Sequence, residues 1–269
     1  MKREEGDGLF DAGSYLRRIG CDGDVEVNIE TLGVLHKKHL MAVPFNFSTR
    51  DSSGQINFVN LDEDELFEKV VLGGQGGTCW QVNRLFYRLL GELGYDVTLM
   101  AASTAEGRTS YGIDIEHMFI RAALGDDEWL VDVGYPGPSY LQPLLVSDVV
   151  QTQFGCRYRL ADRGDGQFDL ERCGQAGRWS GVYTFRLLAR RWEDWRELEN
   201  RARQHPAPPP TLKASIQNAL YGRALENGQV VLKGRRYLMV RDGQESVRTI
   251  IDNNEHKELV AAILSGEVH

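Results

Sequence analysis

No apolar run in the sequence approaches the roughly 18 residues needed to span a bilayer. The N-terminus, Met1-Lys2-Arg3-Glu4-Glu5-Gly6-Asp7-Gly8, also lacks the apolar core of a secretion signal, so a cytoplasmic protein is expected, with neither export nor membrane insertion. Cysteine is scarce. Cys21, Cys79, Cys156 and Cys173, among 269 residues, form no Cys-x-x-Cys pair, which suggests neither a disulfide framework nor a zinc site; the thiols are expected to be reduced and no metal is expected. Excess positive charge is absent too. A net charge of −8 and a pI near 5.3 argue against the clustered cationic face that a phosphate backbone requires, so nucleic acid is set aside as a partner. No internal repeat is found. What remains is ordinary for a globular protein, 42% hydrophobic and 26% charged, and long enough for one to three structural units around a large core.

The most informative stretch is Thr78-Cys79-Trp80-Gln81, directly after the glycine-rich run Gly73-Gly74-Gln75-Gly76-Gly77. Thr78 and Gln81 have capping-box spacing, and Val82, Leu85, Phe86, Leu89, Leu90 and Leu93 follow at helical intervals up to Gly94, a C′ stop. Cys79 is then the first helical residue, where unpaired amides and the positive end of the helix dipole favour the nucleophilic thiolate. Helices that merely begin with a cysteine share this pattern.

Upstream, helices are expected from Phe10 to Ile19, from Asn28 to a stop before Pro44, and after Asp62 with Glu65 three residues later. Beyond Tyr95 the period shortens. Val97–Met100, Ile115–Ala122, Trp129–Val133, Tyr158–Leu160 and Val182–Leu188 are alternating, β-branched or aromatic runs separated by Gly, Asp and Pro, as in an antiparallel sheet or small barrel. The segment from Arg203 to Pro210 cannot continue a helix and marks a boundary. After it come an expected helix near Leu212 to Leu220, strands at Gln229–Lys233 and Arg236–Arg241, and an amphipathic helix from about Asn254 to Leu264. The fold class is α+β, with a helical bundle over residues 1–95, a β-barrel over 96–202, and a linker and small α/β unit over 203–269.

A thiolate nucleophile needs a base, and the base needs an orienting group. Of six histidines, His205 lies in the proline linker and His256 and His269 lie near the polar C-terminus, so all three are expected at the surface. His36 and His39 have the i, i+3 spacing of metal ligands, but Lys37 and Lys38 between them disfavour a cation, and a solvated helix face is the expectation. His117 differs, because alternation in Ile115-Glu116-His117-Met118-Phe119 places it on the same face as Ile115 and Phe119. A core histidine bonded to a backbone carbonyl fits equally well until a partner is found. Asp132, in the apolar run Trp129-Leu130-Val131-Asp132-Val133, supplies one, since a buried carboxylate without a partner is costly. The alternatives for such an aspartate are a loop cap or a ligand for backbone amides. A turn at Gly125-Asp126-Asp127 would make the two strands neighbours.

The run Gly76-Gly77-Thr78-Cys79-Trp80-Gln81-Val82-Asn83-Arg84-Leu85-Phe86-Tyr87, with Ala42-Val43-Pro44-Phe45, the His117 strand, Val131-Asp132-Val133-Gly134 and Arg191-Trp192-Glu193-Asp194-Trp195, resembles the arylamine N-acetyltransferase family. The order Cys79, His117, Asp132, with separations of 38 and 15 residues, agrees with that family's triad. The resemblance implies a helical bundle carrying the nucleophile, a barrel carrying His117 and Asp132, and an α/β lid. It also implies ping-pong acyl transfer through a Cys79 thioester. By analogy with matching family positions, Phe45, Tyr135, Pro136 and Gly137 would contact substrate, although aromatics beside strands are also plain core.

Two departures from the family pattern matter. Gln75 stands where arginine is common, and the loop after the aspartate reads Gly134-Tyr135-Pro136-Gly137-Pro138-Ser139, in which two prolines remove amide donors that could bind coenzyme A phosphates. The loop suits the amide synthase branch of the family, which takes a long acyl chain from a carrier-protein thioester and closes a macrolactam with the chain's own arylamine. The expectation is thus an acyltransferase with no tightly bound cofactor, an acyl thioester donor, and an acyl carrier protein as partner. Arg190, Arg191, Arg201, Arg203, Lys233, Arg235 and Arg236 are candidates for docking it, with a plain solvated surface as the alternative role for most of them. Acetylation of arylamines from acetyl-CoA, thiol hydrolysis of the papain or transglutaminase kind, and a non-catalytic scaffold are the alternatives.

Overall fold

The computed structural model describes residues 9–23, 25–47, 63–104, 114–196 and 220–268. The N-terminal third is helical. Helix α1 (Ala12–Ile19) is opened by Asp11, whose carboxylate accepts from the Ser14 amide at 2.6 Å, and α2 (Ile29–Ala42) by Asn28, which accepts from Thr31 at 2.8 Å. A short α3 (Glu63–Leu66) runs into a π-helical turn over Phe67–Leu72, and the expected cap Asp62 lies outside the described residues. Helix α4 (Cys79–Glu92) begins where the capping box places it: the Gln81 side chain accepts from the Thr78 amide at 2.9 Å. Its apolar stripe, Val82, Leu85, Phe86, Leu89 and Leu90, is fully buried against Leu32, Leu35, Phe67 and the outer face of the barrel. Those residues anchor the helix that begins at Cys79 by hydrophobic burial.

The barrel is an eight-stranded antiparallel sheet in the order β5-β4-β3-β2-β9-β8-β7-β6. Its strands are β2 (Asp96–Thr104), β3 (His117–Leu124), β4 (Asp127–Val131), β5 (Leu144–Leu145), β6 (Gln151–Gln153), β7 (Cys156–Gly164), β8 (Gln167–Cys173) and β9 (Trp179–Arg186). Main-chain pairing stops at β5 and β6, and side-chain amides bridge the remaining gap. Gln151 accepts from the Leu145 amide at 2.8 Å and donates to the Leu145 carbonyl at 2.9 Å, standing in for a strand partner. Gln153 does the same for Gln142. The backbone groups of an otherwise raw edge are thereby satisfied.

The C-terminal unit is a second antiparallel sheet, β1-β10-β11-β12-β13, carrying helix α5 (Asn253–Ser265). Strands β10 (Leu220–Leu225), β11 (Gly228–Lys233), β12 (Arg236–Arg241) and β13 (Gln244–Thr249) are local hairpins, but β1 (Phe45–Asn46) comes from just after α2. Leu220 opens β10, and the helix expected up to it falls on residues outside the described set. Its attachments include one at each end. The buried Arg223 guanidinium bonds to the Met41 and Ala42 carbonyls at the end of α2 and to the Ile263 and Leu264 carbonyls of α5. At the far end, the β12–β13 turn packs on the β6–β7 turn so closely that a Cβ on Gly155 would lie 2.0 Å from the Asp242 carbonyl oxygen.

Candidate active site

Strand β3 begins at His117 and pairs with β4 through the turn at Gly125-Asp126, so the ends of the two strands are neighbours, as the hairpin reading required. Asp132 is the first residue past β4 and not within it, and it is buried, with 2% of its surface exposed. His117 Nε2 donates to Asp132 Oδ2 at 2.7 Å. The other carboxylate oxygen accepts from Asn83 Nδ2 at 3.0 Å and from the Gly134 amide at 2.9 Å. Burial alone would push the aspartate towards its neutral form, but the His117 charge and these donors outweigh it and lower its pKa. The converse holds for His117: burial favours the neutral ring, while the Asp132 charge and hydrogen bond, joined by the Cys79 sulfur, raise its pKa well above the ordinary histidine range. His117 Nδ1 is buried without a hydrogen-bond partner of ordinary geometry among the described residues.

Cys79 reaches this pair because α4 and the loop after β4 touch. A Cβ on Gly134 would sit 2.7 Å from the Cys79 Cα, 2.6 Å from Asn83 Nδ2 and 2.9 Å from Val82 Cγ2, so only glycine fits. Asn83, one turn beyond Cys79, locks the contact by also accepting from the Val133 amide at 2.9 Å and donating to the Met118 carbonyl at 2.7 Å. Phe119, Tyr135 and Tyr183 surround the His117 ring, with centroids at 6.4, 5.6 and 5.3 Å. Tyr135 is tethered through its hydroxyl to the Val182 carbonyl at 2.9 Å.

The other expected site residues lie close by. Phe45 runs beside Gly77, where the Asn46 amide donates to the Gly77 carbonyl at 2.9 Å and the Gly77 amide to the Pro44 carbonyl at 3.2 Å. Pro136 and Gly137 belong to the loop that faces β10 across Gly222. That loop is poor in available amides: Pro136 and Pro138 have none, Gly134 donates to Asp132, and Ser139 donates to Gln229 at 3.2 Å. Of the docking cations, Arg201 and Arg203 fall outside the described residues, and Arg235 is engaged with the Ile250 and Ile251 carbonyls.

Three histidines were misplaced by the sequence reading. His36 and His39 are fully buried because they continue the Leu32–Leu35 face of α2 while Lys38 points outward; adjacency to lysine says nothing about the opposite side of a helix. His39 Nδ1 lies 3.0 Å from the Tyr15 hydroxyl. His256 is also buried, bonded to the Gly234 carbonyl at 2.9 Å. Asn83 carried no assigned role, although a polar residue one turn after Cys79, inside an apolar stripe, is the signal that marks it.

A family model described as N-acetyltransferase matches residues 28–266. The chain is 50% identical over 259 residues to proansamycin X synthase of Amycolatopsis mediterranei (strain S699), covering 96% of this chain and 98% of that protein. It is 32% identical over 185 residues to the arylamine N-acetyltransferase of Escherichia coli (strain K12), covering 67% of this chain and 63% of that protein. The solved Mycobacterium marinum arylamine N-acetyltransferase shares the fold at a TM-score of 0.79 and 24% identity, with 96% of this chain and 95% of that one covered. Its complex with CoA aligns with a TM-score of 0.78 and 22% identity, over the same 96% and 95%.

Proposed function

The chain belongs to the N-acetyltransferase family that includes the arylamine N-acetyltransferases, and on that premise we propose that this acyltransferase is an amide synthase acting through a Cys79 thioester. In the first half-reaction the Cys79 thiolate, paired with the His117 imidazolium, attacks the thioester carbonyl of the donor. The tetrahedral intermediate collapses, and the donor thiol leaves with the proton returned by His117. In the second, an amine attacks the acyl-enzyme, His117 accepts the amine proton, and collapse releases the amide and restores the Cys79 sulfur. Asp132 keeps Nε2–H occupied, so that Nδ1 faces the reaction, and stabilises the imidazolium. Amides in the first turn of α4 would stabilise the oxyanion, a term worth roughly 3 to 4 kcal/mol per donor in other enzymes. Phe45, Tyr135, Pro136 and Gly137 form the substrate-facing wall. In this reading residues 1–95 supply the nucleophile, 96–202 the base and its orienter, and 203–269 the cover that keeps water from the acyl-enzyme.

The amide synthase reading rests on the 50% identity to proansamycin X synthase along nearly the whole chain. The loop after Asp132 supports it, since four of its six residues, Gly134, Pro136, Pro138 and Ser139, have no amide left for a pyrophosphate. The donor is accordingly an acyl chain on the phosphopantetheine of an acyl carrier protein, and the nucleophile an arylamine at that chain's other end, closing a macrolactam. Acetyl transfer from acetyl-CoA is the second reading, favoured by the fold shared with the CoA complex.

The test compares donors. Carrier-bound aminoacyl chains should be converted to amide far faster than acetyl-CoA plus a simple arylamine, and Cys79→Ser should abolish both reactions. Acetylation as fast as carrier-dependent turnover would overturn the amide synthase assignment, and turnover that survives Cys79→Ser would overturn the mechanism.

A further inference from the structure

The loop from Asp132 to Leu141 carries the orienting carboxylate at one end and the substrate-facing Tyr135, Pro136 and Gly137 in its middle. Both ends of this loop bond to one side chain. His36, on α2, places Nδ1 2.9 Å from the Leu141 carbonyl and Nε2 3.1 Å from the Asp132 amide, with the Asp132 carbonyl 2.9 Å from the same nitrogen. The ring lies flat on Tyr140, with centroids 5.6 Å apart and planes at 12°. Tyr140 in turn meets the Tyr183 hydroxyl at 3.0 Å, and Tyr183 flanks His117.

The hydrogen-bond inventory favours one state of the ring, even though that state leaves the Asp132 carbonyl facing the bare Nε2. Protonated on Nδ1 alone, the imidazole donates to Leu141 and accepts from the Asp132 amide, serving two of its three neighbours. Protonated on Nε2 alone it serves only the Asp132 carbonyl, and leaves a bare nitrogen against Leu141 and two N–H groups facing each other. The imidazolium serves both carbonyls at the expense of the same N–H clash, and burial opposes its charge.

We infer that His36 is a positioning residue: in its neutral Nδ1–H form it clasps the two ends of the 132–141 loop and so sets the Asp132 carboxylate against His117. It touches no reacting atom. Its role follows from where Asp132 stands: the residue lies beyond the last β3–β4 pair, Ile120 with Val131, so the sheet does not hold its backbone and α2 does. This inference rests on Asp132 orienting His117 as proposed above.

The experiment follows the rate of Cys79 alkylation by iodoacetamide against pH, located by peptide mass spectrometry, with Cys21 as the internal reference. His36→Phe keeps the stacking on Tyr140 and removes both hydrogen bonds. In the folded variant, alkylation at pH 6 should fall at least about ten-fold, the loss typical when a group that orients a functional ligand is removed, and the profile should move to higher pH. His36→Gln, which retains a donor and an acceptor, should recover most of the rate. In the unmodified protein, ¹⁵N shifts should show His36 protonated on Nδ1 and bare on Nε2 at neutral pH, a readout that needs no variant to fold. The opposite tautomer, or an unchanged alkylation profile in His36→Phe, overturns the inference. A wild-type Cys79 no more reactive than Cys21 would instead sink the triad reading beneath it.

Discussion

Asn83 grips the Asp132 carboxylate from the helix that presents Cys79, so a single turn of α4 sets both the sulfur and the carboxylate that accepts from His117. All three partners of that carboxylate are donors, and the residue is therefore held as an anion at the expense of its neutral form. Asp132→Asn should lower the rate of Cys79 acylation by a factor on the order of 10³ to 10⁴, as expected when the orienting charge is lost and the tautomer is scrambled. Asn83→Ala leaves the anion in place with one donor fewer, and a single-turnover acylation assay should find a loss of about 10- to 100-fold, the range for hydrogen bonds to a charged group. Wild-type rates in Asn83→Ala would refute the part given to it. The placement of Cys79, His117 and Asp132 was legible because each breaks a pattern: a thiol at a capped helix start, a polar ring on an apolar strand face, a carboxylate in an apolar run. His36 was not, since its two lysine neighbours advertise exposure while its own face of α2 continues the core. The bonds that make it useful join residues about a hundred positions away, and no local spacing encodes them.

Among the elements, helix α4 and the loop after β4 meet closely beside the site. Gly134→Ala would force a methyl to within 2.7 Å of the Cys79 Cα. The neighbour there is backbone and cannot step aside, so a cost of about 1 to 3 kcal/mol in folding is expected, with acylation impaired beyond it because the strain falls between nucleophile and base. Urea denaturation and acylation kinetics on the same sample test this, and a variant with native stability and rate would show that the loop can retreat. Strands β2, β3, β4, β7, β9, β11 and β12 were readable from their alternating, β-branched or aromatic runs, whereas β8 and β10 went unread although each has buried residues. Strand β13 was invisible because all six of its residues are exposed and no hydrophobic period remains. Strands β5 and β6 were missed for another reason: they are short and meet through glutamine side chains, whose part in closing a sheet has no sequence signature.

For the whole molecule, buried neutral histidines set the response to acid. Burial lowers the pKa of His39 to about 3, with the nearby His36 adding to the effect, and burial also lowers that of His36. In the unfolded chain both take up a proton near pH 6.5. Below that pH the unfolded state binds more protons than the folded one, so stability falls as pH drops from about 6.5 towards the folded-state value. His117 works in the opposite sense. Its raised pKa contributes stability that is full below the unfolded value and is lost as pH rises through the folded one. The midpoint of urea denaturation should therefore fall between pH 7 and pH 5, and fall less in His39→Leu, which removes one of the two acid-labile rings. An equal fall in both proteins would place the acid sensitivity elsewhere.

The fold as a whole was legible as a bundle, a barrel and a small α/β unit. What the sequence could not convey is that Phe45 and Asn46 leave the bundle to edge the C-terminal sheet. The short strand faces two ways: the Phe47 amide bonds to the Leu220 carbonyl, while the Asn46 amide bonds to the Gly77 carbonyl, two residues before the nucleophile. The C-terminal sheet and the turn before Cys79 therefore hang from one thread of backbone.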